Sequence, residues 1–154
     1  MPKIDTHRWQ ACRPGPHPIS GQDDGAYSEI SLGDAAGLTQ FGARLERLDP
    51  GSRSSHRHWH EAEDELVVIL SGELVLVEDS ETRLVAGDAA GWAAGAPVGH
   101  CLENRADQPA VLLVIGSRAS SDVVHYPDHG LILHRDGTRR RFTRPDGTAI
   151  GTDP

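Results

Sequence analysis

What constrains this chain most is its punctuation. Seventeen glycines and ten prolines divide 154 residues into short apolar segments, and frequent turn residues between short runs are an all-β habit. Residues 38–48 carry Phe41, Ala43 and Leu45 in alternation and stop at Asp49-Pro50-Gly51. Residues 65–70 and 73–77 flank Ser71-Gly72, a connection suited to a tight hairpin. Residues 82–85 run into Ala86-Gly87-Asp88, and segments at 99–104, 109–115, 122–126 and 131–134 follow at similar spacing. Asp136-Gly137 and Asp146-Gly147 close the series. About nine or ten short strands without helical periodicity predict a sandwich or a barrel.

Two strands constrain the packing further. Residues 66–70 and 110–115 are apolar on both faces, so one face must be covered by a second sheet or a second subunit. A homodimer is the expectation. The segment 12–26, rich in Pro and Gly, reads as a loop or extended arm, and the basic stretch after Thr138 as a loosely held tail. The expected organisation is an N-terminal arm (1–30), one β domain (31–136) and a C-terminal tail (137–154).

Several function classes are disfavoured. A net charge of −8 runs against nucleic-acid binding, which needs positive faces to displace phosphate counterions. The longest apolar runs fall far short of the roughly 20 residues of a membrane span, and MPKIDTHRWQ contains no apolar signal core. Cys12 and Cys101 form no CxxC pair, so neither a disulfide scaffold nor a cysteine zinc knuckle is expected. A cytoplasmic protein acting on a small molecule, without nucleic-acid or membrane partners, is the expectation.

Nine histidines are many for this length, and His56, His58 and His60 fall within five residues. On a strand His58 and His60 share a face and Trp59 takes the other. Glu65 shares a face with Val67 and Ile69 at the mouth end of the next strand. Two imidazoles at i and i+2 and a neighbouring carboxylate can converge on one metal ion, with His100 offering a fourth donor. A helical alternative would align His56, His60 and Asp64, but VVILSGELVLV is β-like and no HExxH is present.

These residues resemble the motifs of the cupin superfamily, in particular its small single-domain members. The first cupin motif runs Gly, His-x-His, Glu, Gly; here it reads Gly51, His58-Trp59-His60, Glu65, Gly72. The six residues between Glu65 and Gly72 match the family, whereas a frame starting at His56 has no closing glycine. The second motif reads Gly87-Asp88, Ala93-Ala94-Gly95 in place of Pro-x-Gly, then His100 and Asn104. Ala93 for proline and a longer gap before His100 depart from the pattern.

The resemblance implies a double-stranded jelly-roll β-barrel binding one divalent ion per chain (Fe, Mn, Ni or Zn) through His58, His60, Glu65 and His100. Two open coordination positions would then suit a catalytic site. The expected activity is oxygenase-type or metal-polarised lyase or isomerase chemistry on a small oxygen-rich molecule; the alternative is a non-catalytic binding module or sensor. No catalytic base is marked in the sequence, and His125, Tyr126 and Arg44 are the candidates. His56, Arg57, Glu61, Glu63 and Asp64 read as solvated, Asn104 as a turn or supporting residue, and Cys101 as a buried thiol. Trp92 reads as a packing residue able to line the barrel.

Overall fold

A computed structural model describes residues 3–12, 21 and 23–151. The chain begins with β1 (Gln10–Cys12), β2 (Tyr27–Ser31), a single helical turn α1 (Leu32–Ala35) and β3 (Phe41–Leu48). The central elements are β4 (Trp59–His60), β5 (Glu65–Ser71), β6 (Glu73–Val77), β7 (Glu81–Val85) and β8 (Ala89–Trp92). Then come β9 (Cys101–Glu103), β10 (Ala110–Ser117), β11 (Ser121–Tyr126), β12 (Leu131–Asp136), β13 (Arg139–Thr143) and β14 (Ala149–Gly151). They form three antiparallel sheets, ordered β1-β2-β3-β10-β5-β8, β14-β13-β12-β11-β4 and β7-β6-β9. This is the all-β, jelly-roll architecture expected from the sequence. No helix among the described residues is long and apolar enough to cross a membrane.

The β5–β6 hairpin turns at Gly72, whose φ of 77° is left-handed; a Cβ there would fall 2.9 Å from the Ala110 Cα. Both facts demand glycine. The apolar core lies where the six-stranded sheet meets the three-stranded one. Leu48, Val67, Ile69 and Leu112 from the first pack with Leu74, Leu84 and Leu102 from the second. Each such side chain, fully buried, contributes about 1.5–3 kcal/mol of transfer free energy.

β3 turns its charged face inward. Arg44, Glu46 and Leu48 stand opposite Val114, Leu112 and Ala110 of β10, while Phe41 on the other face is 42% exposed. The alternation of Phe41, Ala43 and Leu45 therefore marks the outer face, because a polar cavity, not the core, lies behind this part of the strand. The doubly apolar strands behave similarly: Val67 and Ile69 point in, whereas Leu66 and Leu70 are 42% and 47% exposed.

Strands near both ends of the described residues join the sheets. β1 pairs with β2, and β2 with β3; positions 13–20 and 22 of the predicted loop lie outside the described residues. The basic tail is not loosely held over residues 139–143, which pair along β12 from Asp136↔Arg139 to Ile132↔Thr143. Gly137, with φ of 57°, lets the chain reverse within two residues.

Candidate metal centre

The two histidine-bearing segments meet directly. His58 and His100 form an antiparallel bridge, each backbone N–H donating to the other's carbonyl at 3.2 and 3.0 Å. Directly opposite residues present their side chains on one face, and the two rings lie 5.1 Å apart. His60 follows two residues later on β4, opposite Val124 of β11. Glu65 opens β5, between Trp92 of β8 and Gly116 of β10. Gly95 donates its N–H to the His60 carbonyl at 2.9 Å, so the loop with Ala93 in place of proline still clasps the histidine strand.

Glu65 Oε2 is the meeting point. It lies 3.2 Å from His100 Nε2, 3.7 Å from His58 Nε2 and 3.8 Å from His60 Nε2. Burial opposes the Glu65 charge, but the His100 and His58 imidazoles outweigh it and hold the carboxyl far below the usual range. Burial likewise opposes a charge on His58, and Glu65 overcomes it, raising that imidazole's pKa.

The opposite edge of each ring is committed. His58 Nδ1 lies 2.9 Å from the His56 carbonyl oxygen and His100 Nδ1 3.0 Å from that of Val98. His60 Nδ1 lies 2.6 Å from Asp122 Oδ2. These oxygens can only accept, so each Nδ1 carries a proton and each Nε2 would be left to offer a lone pair to a cation bound beside Glu65. Three such nitrogens around one carboxylate oxygen fit a divalent cation. Trp92 stacks on His100 at 3.6 Å between ring centroids and donates its Nε1–H to Glu78 at 2.8 Å, fixing that ring's plane.

Asp122 carries no spacing signal, yet it orients His60. Its side chain is fully buried, and Oδ1 accepts the Ala62 N–H at 2.9 Å. His58, Glu65 and His100 form one cluster with metal-ligand geometry, and His60 falls in a second with Glu63 and Asp122. Arg135 already balances its charge, bonding Glu63 and lying 4.0 Å from Asp122.

The centre opens into a cavity of about 690 Å³ lined by Arg44, Glu46, Tyr126, Arg135 and Arg140, among others. Glu46, 4% exposed, is a residue that sequence reasoning missed. Burial raises its carboxyl pKa, against the attraction of Arg44, which bonds it. Tyr126 joins the wall with its ring 5.9 Å from His58, and burial raises its hydroxyl pKa.

His125 does not enter the cavity. It occupies the other face of β11, stacked on Trp59 at 4.0 Å and bonded to Glu61 at 2.7 Å. The solvated reading of its neighbours also needs correction. His56 is 2% exposed, its Nδ1 3.1 Å from His129 Nε2, and Arg57 bonds Asp128 and the Glu78 carbonyl. The His58–His100 bridge draws this segment against the turn at Pro127–His129. Glu63 is drawn from solvent by its bond to Arg135, whereas Asp64 stays exposed, as expected, while accepting the Ala94 N–H at 2.7 Å.

Asn104 holds its own loop, bonding the Leu48 and Gln108 carbonyls at 2.9 Å each. Cys101 is buried and both cysteines are free.

Comparison with known proteins agrees with this architecture. The sequence profile of the cupin domain matches residues 44–116. A search of curated proteins returned no match. The crystal structure of a sugar phosphate isomerase from the cupin superfamily of Silicibacter pomeroyi is 39% identical. The match covers 97% of each chain with a TM-score of 0.86. A protein provisionally named as a sugar phosphate isomerase, from Acidithiobacillus ferrooxidans, is 30% identical over 84% of this chain and 83% of its own, with a TM-score of 0.78. A predicted oxalate decarboxylase from Thermotoga maritima is 26% identical over 62% of this chain and 83% of its own, at a TM-score of 0.54. With the fold, both motifs and a full-length relative in agreement, this chain belongs to the cupin superfamily.

Proposed function

We propose that the chain is a metal-dependent isomerase of a small sugar phosphate, with His58, His60, Glu65 and His100 holding one divalent ion. The observation that carries the reading is the convergence of three Nε2 atoms on Glu65 Oε2, at the wall of a polar cavity. Similarity to a sugar phosphate isomerase over nearly the whole chain favours isomerisation over the oxygen chemistry and lyase chemistry that the motifs alone also allow. When bound, such an ion supplies a Lewis acid for a carbonyl oxygen.

Isomerisation between an aldose and a ketose moves one carbon-bound proton and one hydroxyl proton, with no net oxidant. Glu46 takes the proton from the carbon beside the carbonyl and returns it to the former carbonyl carbon. Burial keeps its carboxylate basic, and Arg44 holds it in place. Tyr126, on the His58 side, serves the hydroxyl proton. The cavity holds a small sugar and limits bulk water around the exchanging proton.

The test is nuclear magnetic resonance of metal-loaded protein with a panel of three- to six-carbon aldose and ketose phosphates. Interconversion of one pair, with Glu46→Gln lowering turnover about 10²–10⁴-fold while keeping its metal, is expected. Full activity in Glu46→Gln removes the base assignment. No interconversion of any pair, or dioxygen uptake with a tested substrate, removes the isomerase reading.

The same reading includes a homodimer, with the outward face of β5 at Leu66 and Leu70 meeting a second copy. Sedimentation at micromolar concentration should give the dimer mass; a monomer overturns it.

A further inference from the structure

β12 and β13 set Arg135 and Arg140 directly opposite each other. Like charges in that position destabilise a sheet unless something neutralises them. Both residues line the cavity, whereas the next pair, His134 and Arg141, belongs to the other face, where His134 bonds Thr143. Arg135 is neutralised by Glu63. The Arg140 side chain has no hydrogen-bonding or ion-pairing partner among the described residues, and its charge reaches the Tyr126 hydroxyl.

The other cations of the wall are committed. Arg44 bonds Glu46, and Arg118 bonds Asp34 and the Leu38 carbonyl. Arg140 therefore leaves, at the cavity rim, a guanidinium fork free for a planar pair of anionic oxygens. The row Arg140, Arg135, Asp122 crosses three adjacent strands, and Asp122 bonds His60. Two strand spacings, about 10 Å, separate the ends of that row. This separation suits a small molecule with its anionic end on Arg140 and its reacting end near the histidines.

We infer that Arg140 is the centre of a phosphate subsite, so that the C-terminal β12–β13 hairpin determines the preference for a phosphorylated substrate. The inference rests on the reading of this cavity as a sugar phosphate site, but the phosphate contact can be measured without turnover.

Inorganic phosphate is titrated calorimetrically into metal-free and metal-loaded protein, as wild type, Arg140→Ala, Arg140→Lys and Arg139→Ala. Arg139 stands opposite Asp136 and outside the cavity wall, so its variant carries the same change of net charge elsewhere. Arg140→Ala should weaken phosphate about tenfold or more in the metal-free protein. Arg140→Lys should recover part of that loss, and Arg139→Ala should bind as wild type does.

Equal affinity in wild type and Arg140→Ala overturns the subsite, as does equal loss in the two alanine variants or no phosphate binding to metal-free wild type. Arg140-dependent phosphate binding without interconversion of any sugar phosphate keeps the subsite and removes the isomerase reading. Interconversion with an unchanged KM in Arg140→Ala does the reverse.

Discussion

The two halves of the barrel interior are built from the same strands and obey opposite rules. β3 carries Arg44 and Glu46 into the cavity before Leu48 enters the core, and β5 carries Glu65 there before Val67 and Ile69. In the apolar half, side chains are held by close packing that tolerates little change of volume. In the charged half, polar side chains are held by named partners, His60 by Asp122, Arg135 by Glu63 and Arg44 by Glu46, with Arg140 as the exception. Among the described residues, no buried side-chain nitrogen or oxygen lacks a hydrogen-bond partner. One continuous strand can thus supply both core and site, because the inward face needs satisfaction, not uniform polarity.

The sharpest way to break the comparison is to remove donors from the charged half. His58→Ala and His100→Ala should each lose most bound metal, measured by elemental analysis after purification without added metal. Retention of the full complement by either variant shows that the donor set is wrong. The counterpart in the apolar half is Leu112→Ala, expected to cost about 2–5 kcal/mol of stability in denaturant melts while the metal content of the folded protein stays unchanged. If that variant also loses metal, the halves are coupled and the division fails.

Asp122→Asn probes the supports of the site. Metal affinity should fall about 10–100-fold in a chelator competition, with the fold retained. An unchanged affinity would assign Asp122 to the backbone at Ala62 instead. The smallest effect concerns Cys101, whose thiol burial pushes up to about 11. At pH 8 only about one part in a thousand is thiolate, so iodoacetamide should label half-exposed Cys12 and spare Cys101 until the protein unfolds. Prompt labelling of both would mean that the barrel opens at this point.

The spacing of the proposed donors was legible because neighbouring residues on a strand are fixed by local chain geometry. His58 and His60 share a face by alternation, and Glu65 with Gly72 follows from one strand and its turn. The supports were not legible. Asp122 is 62 residues from His60, and only the pairing of β11 with β4 brings them together. Glu46 was hidden differently: Phe41, Ala43 and Leu45 present the stronger apolar alternation, and hydropathy cannot tell a cavity wall from a solvent face. The basic tail resembled a disordered end because its register with β12 is set by Gly137 and by cross-strand neighbours, not by its own composition.

The bridge between His58 and His100 has a consequence for the order of assembly. The two residues come from distant parts of the chain, and their rings meet only after the intervening strands β5 to β8 have folded back. Contacts of such long sequence separation must close a large loop before they gain stability. The proposed donor set is therefore completed late in folding, and an ion bound to it would act as a latch on a closed barrel. It would slow reopening rather than nucleate the fold, so the empty protein should fold at nearly the same rate as the loaded one while unfolding faster.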